Sequence, residues 1–388
     1  MSEPRKADVG LYVHWPYCAR ICPYCDFNVV RDRGRGAAQA ALFQAILADL
    51  KAQAAGLGPR RLVSIFFGGG TPSLMDPDWA GEIIETARSL FDAPADVEVT
   101  LEANPTDAEA AHFEAFAAAG VNRLSLGVQS LDDDALVFLG RNHDAATARR
   151  AADIAGRAFP RLSIDLIYAL PGQTAATWRA ALSDALALGP EHVSPYQLTL
   201  ESGTAFDRAV RRGRWSPPEN DAAGDLFETT QAVLSAAGFE AYEVSNHARG
   251  EAARSRHNLI YWRGGDYLGL GPGAHGRLTT PDGARWSMLT PSRIGDYVAR
   301  VESADCAAER IRLTASEAAQ ERLLMGLRTV EGVALAELAA LNLDPATVVH
   351  FRDEGLLVET PSRLIATRNG RQVLDRLTLE LAQSGASV

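Results

Sequence analysis

Three of the chain's four cysteines, Cys18, Cys22 and Cys25, stand together in the stretch Leu11–Asn28, LYVHWPYCARICPYCDFN. Thiolates at this C-x3-C-x2-C spacing can converge on one metal centre. Pro16 and Pro23 keep the segment out of regular helix, since proline lacks the amide N–H and clashes with the preceding turn. What remains is a loop able to wrap a compact inorganic group. Soft thiolates select iron–sulfur clusters, zinc or copper(I). Three of them fill all but one corner of a four-iron cluster, whose corners each need a ligand. A structural zinc site wants four protein ligands. His14 would have to supply the fourth, because Asp26 and Phe27 follow Cys25. Inert core thiols are a common fate of free cysteine, but they leave the spacing unexplained.

Further chemistry-bearing residues sit at the ends of apolar runs. Gly68-Gly69-Gly70-Thr71-Pro72-Ser73 follows Leu62–Phe67. Without β-carbons a ligand can reach the backbone closely. No Gly-Lys-Ser/Thr follows, so this is not a phosphate loop, and a tight turn is an equally good local reading. Glu102 stands in LEANP, Gln129 in LGVQS, Arg141 in LGRNH, and Asp165 inside the apolar run Ser163–Tyr168. A charge inside such a run is costly unless paired or functional. Alone, each reads best as a solvated or salt-bridged residue; on successive units of one barrel they form a convergent site. His257-Asn258-Leu259-Ile260-Tyr261-Trp262 offers an imidazole that could hold heme iron and two rings that could stack on a porphyrin. Local evidence favours a surface histidine beside core aromatics. His247 and His275 are secondary candidates. Gly269–Ala274 formally fits a dinucleotide fingerprint, but Pro272 and the lack of a βαβ context exclude it. Cys306 reads as structural or incidental.

The elements that must position these groups alternate. Strand-like runs Gly10–His14, Leu62–Phe67, Val97–Leu101, Arg123–Val128, Leu162–Ile167 and His192–Leu198 are separated by alanine-rich helical segments. Leu42, Ile46 and Leu50 make one apolar stripe in Ala37–Ala55, and Trp178, Leu182 and Leu186 another. Strand–helix alternation implies parallel strands with right-handed crossovers. About six such units predict an α/β fold, a partial (β/α)6 TIM-like barrel, with chemistry where strands end and loops begin. A helix is expected over Asp221–Ala237. From about Leu313, helices over Ser316–Arg328, Ala334–Leu341 and Thr347–Glu354 precede a hairpin, LLVET–PSR–LIATRNG, which reads as a small α+β, winged-helix-like module. The expected division is 1–239 core barrel, 240–312 aromatic, glycine- and histidine-rich extension, and 313–388 C-terminal module.

Composition bounds the rest. The chain is 47% hydrophobic and 22% charged, ordinary for a globular protein with a substantial core. A formal net charge of −11 argues against nucleic acid and anionic lipid as general partners. Four cysteines, three of them clustered, indicate a reducing compartment rather than a disulfide framework. The start, MSEPRKADVG, lacks the apolar core of a signal peptide. No apolar run approaches the ~18 residues of a membrane span. A cytoplasmic location follows, with peripheral contact at the inner face of a membrane left open.

The cysteine spacing, with Tyr24 before Cys25, resembles the signature of the radical S-adenosylmethionine (SAM) superfamily. LYVHWPYC and CPYCDFN resemble the branch holding oxygen-independent coproporphyrinogen III dehydrogenase and its heme-chaperone relative. The resemblance extends from Leu11 into the C-terminal module. It implies a [4Fe-4S] cluster on Cys18, Cys22 and Cys25, with SAM on the open iron. One electron passed to the sulfonium would give a 5′-deoxyadenosyl radical. It further implies that Gly69, Gly70 and Thr71 hold the methionyl amino group and that Arg141 pairs with the SAM carboxylate. Glu102, Gln129 and Asp165 would bind amino and ribose groups, and Tyr12 and Tyr24 line the site, with Gln197 and Ala274 as weaker matches. HNLIYW resembles a motif of the heme-chaperone branch, which nominates His257 as heme ligand. The dehydrogenases typically carry a further cysteine where this chain has Phe27, and a longer segment before the position of Leu11. These departures favour a heme chaperone that receives heme from a donor and hands it to apo-proteins such as respiratory heme enzymes. A flavodoxin or ferredoxin would serve as electron donor. The alternative is the dehydrogenase itself, which decarboxylates propionates to vinyls.

Overall fold

The computed structural model describes residues 6–34, 36–303 and 306–384. Met1–Arg5, on which the reading of the N-terminus partly rests, lie outside them. Six parallel strands form the centre: β1 (Ala7–Trp15), β2 (Arg60–Gly69), β3 (Glu98–Ala103), β4 (Arg123–Gln129), β5 (Leu162–Tyr168) and β6 (His192–Gln197). Each covers one of the apolar runs to within a residue. Val9, Leu11, Val13, Val99, Leu101, Leu124 and Ile164 are fully buried. Such strands are covered by helices outside, which is why they read as near-continuous apolar sequence. The helix Gly36–Ala55 packs Leu42, Ile46 and Leu50 into this core. Helices between strands start on side-chain caps: Asp76, Thr106, Asp132, Asp144 and Thr174 each accept a backbone N–H of the first turn.

The segment 240–312 contributes to both edges of the same sheet, a point the sequence did not reveal. Short strands β7 (Glu240–Ala241) and β8 (His247–Ala248) continue it beyond β6. The chain then runs beneath the barrel as the helix Arg256–Trp262. It returns at the opposite edge as β9 (Asp266–Leu270), parallel to β1, followed by antiparallel β10 (His275–Thr279), β11 (Arg285–Leu289) and β12 (Glu309–Arg312). The result is one twelve-stranded sheet in the order β12-β11-β10-β9-β1-β2-β3-β4-β5-β6-β8-β7, open between its ends.

A second core, including Leu323, Leu327, Leu338, Phe351, Leu364 and Leu381, belongs to the C-terminal module. Its helix Ala315–Arg328 begins on a Thr314–Glu317 capping box. The helix expected near Ala334–Leu341 forms as a 3-10 helix over Leu335–Leu341. The hairpin forms as Leu357–Glu359 and Arg363–Ala366, joined by Val333–Ala334 in a three-stranded sheet. A closing helix, Leu374–Ser384, carries Leu377 and Leu381 into that core.

Candidate cofactor site

The cysteine loop leaves the C-terminal end of β1 and is pinned by the glycines that end β2. Trp15 pairs with Gly69. Gly70 then donates its N–H to Trp15 O and Thr71 to Tyr17 O, each at 2.8 Å. These positions need glycine: a Cβ on Gly70 would lie 2.7 Å from Pro16 C and Tyr17 O, and one on Gly69, at φ 104°, would meet the His14 ring at 2.5 Å. The loop is closed below by Tyr17–Cys18 pairing with Val30–Arg31. Burial pushes the Cys18 thiol up to about 11, against a hydrogen bond to Thr71 that pulls the other way. Burial raises Cys25 as well. Thiols held this way ionise when a metal supplies the compensating charge. Among the described residues, no three His, Cys, Asp or Glu side chains are grouped to hold a single metal ion.

A cavity of about 1330 Å³ opens at the C-terminal ends of the strands. Cys18, Cys22 and Cys25 line it with Tyr24, Gly69, Gly70, Thr71, Glu102, Gln129, Arg141, Asp165 and Gln197. The residues singled out at separate strand ends therefore share one space. Arg141 reaches across it: Nη1 donates to Cys22 Sγ and Tyr24 OH at 3.4 Å, and Nη2 to Gly127 O at 3.0 Å and to Asn104 Oδ1. Its Nε and the Oε1 of Gln129 are buried without a partner. Gln129 also holds φ 63°, a conformation few non-glycine residues adopt. Such strain persists where the surroundings fix it, often at ligand sites.

Glu102 and Asp165 line the lumen on strands β3 and β5, either side of Ser125 on β4. Burial, with Asp165 nearby, raises the Glu102 carboxyl from 4.5 to about 8, although the Gly69 N–H donates to it. Burial raises Asp165 to about 6, with hydrogen bonds from Ser125 Oγ at 2.9 and 3.1 Å opposing. Two desolvated carboxyls beside an unpartnered amide oxygen suit a ligand bearing an ammonium and hydroxyls.

A second cavity of about 960 Å³ continues down the lumen and shares Phe27, Gly69, Glu102, Ser125 and Asp165 with the first. Tyr12 and His257 line this one. Tyr12 OH lies 2.9 Å from His14 Nδ1. His257 is 1% exposed at the barrel floor, with Nδ1 2.8 Å from Ser64 Oγ and Nε2 2.6 Å from Tyr261 OH. Its ring stacks on Phe66 at 4.9 Å, and burial lowers its pKa to about 3. Both nitrogens are thus engaged, and iron would reach Nε2 only by displacing Tyr261. Ala274 is buried in a turn, its N–H donated to Thr290 Oγ1 at 2.8 Å, and lines neither cavity, although Gly273 and His275 on either side do line the second. His247 is also buried away from both.

The floor was missed from sequence. Arg123, 2% exposed, lies 3.6 Å from Glu98, which Arg161 also meets at 2.9 Å. Glu98 Oε1 accepts the His257 N–H at 3.0 Å, and Arg123 donates to Ala253 O at 3.0 Å. The signal was a period of two: Glu98, Thr100, Glu102; Arg123, Ser125; Ser163, Asp165; His192, Ser194, Tyr196 all point inward.

Residues 12–185 match the radical SAM superfamily model, and 313–373 match the HemN C-terminal domain. The bovine mitochondrial radical S-adenosyl methionine domain-containing protein 1 is 41% identical over 97% of this chain and 88% of its own. The heme chaperone HemW of Mycobacterium tuberculosis is 35% identical over 96% of this chain and 94% of its own. This chain belongs to the HemW-like branch of the radical SAM superfamily. HemW of Escherichia coli is 41% identical over 71% of each chain. The solved coproporphyrinogen III oxidase HemN of Escherichia coli superposes with TM-score 0.79 over 96% of this chain and 89% of its own, at 22% identity, which speaks to fold. A radical SAM protein works with a [4Fe-4S] cluster and SAM, and the residues here fit both. Three thiols line one wall, the glycine cradle has no room for side chains, and Gln129 Oε1 and Arg141 Nε wait unpartnered in the same cavity.

Proposed function

We propose that this protein is a heme chaperone: it holds heme and passes it to apo-proteins such as respiratory heme enzymes. The observation that carries the reading is the end-to-end match to the heme chaperone HemW of Mycobacterium tuberculosis. The site supports it. Cys18, Cys22 and Cys25 would hold the cluster, and Gly69, Gly70 and Thr71 would present backbone groups to the SAM amino group. Arg141 would turn from Cys22 to the SAM carboxylate, while Glu102, Gln129 and Asp165 would take its amino and ribose groups. Tyr12, Tyr24 and Gln197 would line the same space. When bound, cluster and SAM supply one-electron chemistry at the sulfonium; the chain's own residues orient SAM and shield it from water.

The cargo would enter the second cavity, which is of the size that encloses a cofactor. A heme donor, an apo-protein acceptor and a flavodoxin- or ferredoxin-like reductant complete the scheme. No helix among the described residues is long and apolar enough to cross a membrane. We place the protein in a reducing, aqueous compartment.

The test is turnover. The protein is reconstituted anaerobically, its iron counted, and supplied with reductant, SAM and coproporphyrinogen III. Protoporphyrinogen detected by mass spectrometry in catalytic amounts would sink the chaperone reading in favour of the dehydrogenase. No product from a preparation that binds SAM and takes up heme supports it.

A further inference from the structure

We infer that His275, at the rim beside the cysteine loop, is the heme ligand of this chain, and that the porphyrin lies against Phe27. The inference rests on the heme reading above and assigns the residue that reading leaves open. A histidine that ligates heme iron needs a ring nitrogen that is free and reachable, beside space for a flat macrocycle.

The histidines sort on these requirements. His14, His192 and His257 have both ring nitrogens engaged, with Tyr12 and Asn28, Ser163 and Tyr242, and Ser64 and Tyr261. His143 is half-buried with Nε2 3.2 Å from Val128 O. His247 has both nitrogens free but is 1% exposed and lines neither cavity. His112 and His350 are exposed away from both cavities. His275 alone is exposed and lines the 960 Å³ cavity, and no side-chain hydrogen bond is found for it among the described residues.

Its surroundings suit a porphyrin. Leu270 of β9 pairs with Val13, so the Gly271–Ala274 turn and His275 sit at the same end of the barrel as the cysteines. His275 lies opposite Gly269, which pairs with Tyr12, so His257, beside Gly10, is about two residues lower, ~7 Å at the strand rise. The Asn28 side chain ties the turn to the loop, donating to Pro272 O at 2.9 Å and Ser292 O at 2.8 Å. Phe27, next to Asn28, is 63% exposed and lines both cavities. A large apolar ring left in water beside an unpartnered imidazole is a platform for a flat apolar ligand. Leu289, directly across from His275, adds apolar surface at 43% exposure. Two residues on, Arg277 offers a guanidinium to a propionate, in competition with Glu321 at 2.6 Å.

The experiment is hemin titration of the full chain, cluster reconstituted, followed by the Soret band and by electron paramagnetic resonance. His275→Ala and His275→Gln should bind at least about tenfold more weakly and lose the histidine-ligated signature. Added imidazole should restore it. His257→Gln should keep the wild-type spectrum. Circular dichroism and iron content control for folding, which an exposed strand-end substitution leaves intact. Wild-type spectrum and affinity in both His275 variants overturn the assignment alone, with heme binding left standing. Failure of wild type to bind hemin overturns the heme reading and the assignment with it.

Discussion

Replacing Glu102 with glutamine should make the protein less sensitive to alkaline pH. In the fold this carboxyl is raised from 4.5 to about 8, first by burial and then by Asp165. Between those values the folded chain keeps a proton that the unfolded chain has released. Where the native state binds more protons, stability falls as pH rises. The full shift, at 1.36 kcal/mol per unit, sets a ceiling of about 5 kcal/mol. Glu102 is partly exposed to the water-accessible cavity rather than sealed in the core. Screening there lowers the expectation to about 2–3 kcal/mol. Glutamine keeps an oxygen for the Gly69 N–H and cannot ionise. The assay is urea denaturation of wild type and Glu102→Gln, anaerobic and at matched iron content, from pH 5 to 8.5. At pH 5 the two should be close; by pH 8.5 the variant should lead by about 2–3 kcal/mol. Histidines titrate equally in both and cancel. Parallel curves across the window would refute the reasoning, because they would mean that Glu102 is already ionised in the fold.

Gly70→Ala should cost ~1–3 kcal/mol by overpacking against the Pro16 and Tyr17 backbone, and iron and sulfide per chain should fall because Cys18 follows directly. Gly156→Ala should do the opposite, stabilising by ~0.5–1 kcal/mol, since its Cβ meets nothing within 4 Å inside the helix Ala145–Ala158; a loss in urea denaturation would contradict this. Arg123→Met should destabilise by ~3 kcal/mol, at the low end for a broken buried pair because Arg161 stays with Glu98; a neutral result would show that the floor network contributes little. Asn28→Ala removes two amide bonds and should cost ~1–2 kcal/mol. It should also make heme release indifferent to whether the cluster is loaded, as read by stopped-flow transfer to apomyoglobin.

The six central strands were legible because both their faces are buried, so each writes an apolar run ended by a polar residue. The cavity that collects Glu102, Gln129, Arg141 and Asp165 followed from those ends. The lumen did not. Glu98, Arg123 and His192 are buried at 2% exposure or less, and nothing in their immediate sequence marks them as one buried network. Only inward alternation across several strands reveals them. The edges were hidden for another reason: strands of two residues, such as Glu240–Ala241, have no period to detect. His257 was read locally as a surface group because nothing in HNLIYW says that its helix closes the barrel; the fold puts it under Ser64 and Phe66.

On the proposed reading, a chaperone has no evident need for a radical cofactor unless the cofactor's state reaches the cargo. The geometry supplies a route. The Asn28 carbonyl oxygen can only accept, so His14 Nε2, 2.8 Å away, carries the proton. Nδ1 is then the acceptor of the Tyr12 hydroxyl at 2.9 Å. Burial lowers the His14 pKa, which favours the neutral ring, against the hydrogen bond to Asn28 O. A Cβ on Gly68 would touch both Tyr12 and Glu102 at 3.1 Å, so Tyr12 packs against the wall that carries Glu102. From Asn28 the same residue's amide grips Pro272 and Ser292, which set the turn before His275. The cysteine loop, the lumen wall and the GPGAH turn are therefore held by one residue with three hydrogen bonds. A cluster on Cys18, Cys22 and Cys25 would bear on the loop that carries Asn28, and through Asn28 on the turn before His275. Coupling of this kind requires two arrangements of a shared element. Asn28 is the element shared here, which is why its truncation should leave heme release blind to the cluster while leaving the barrel folded.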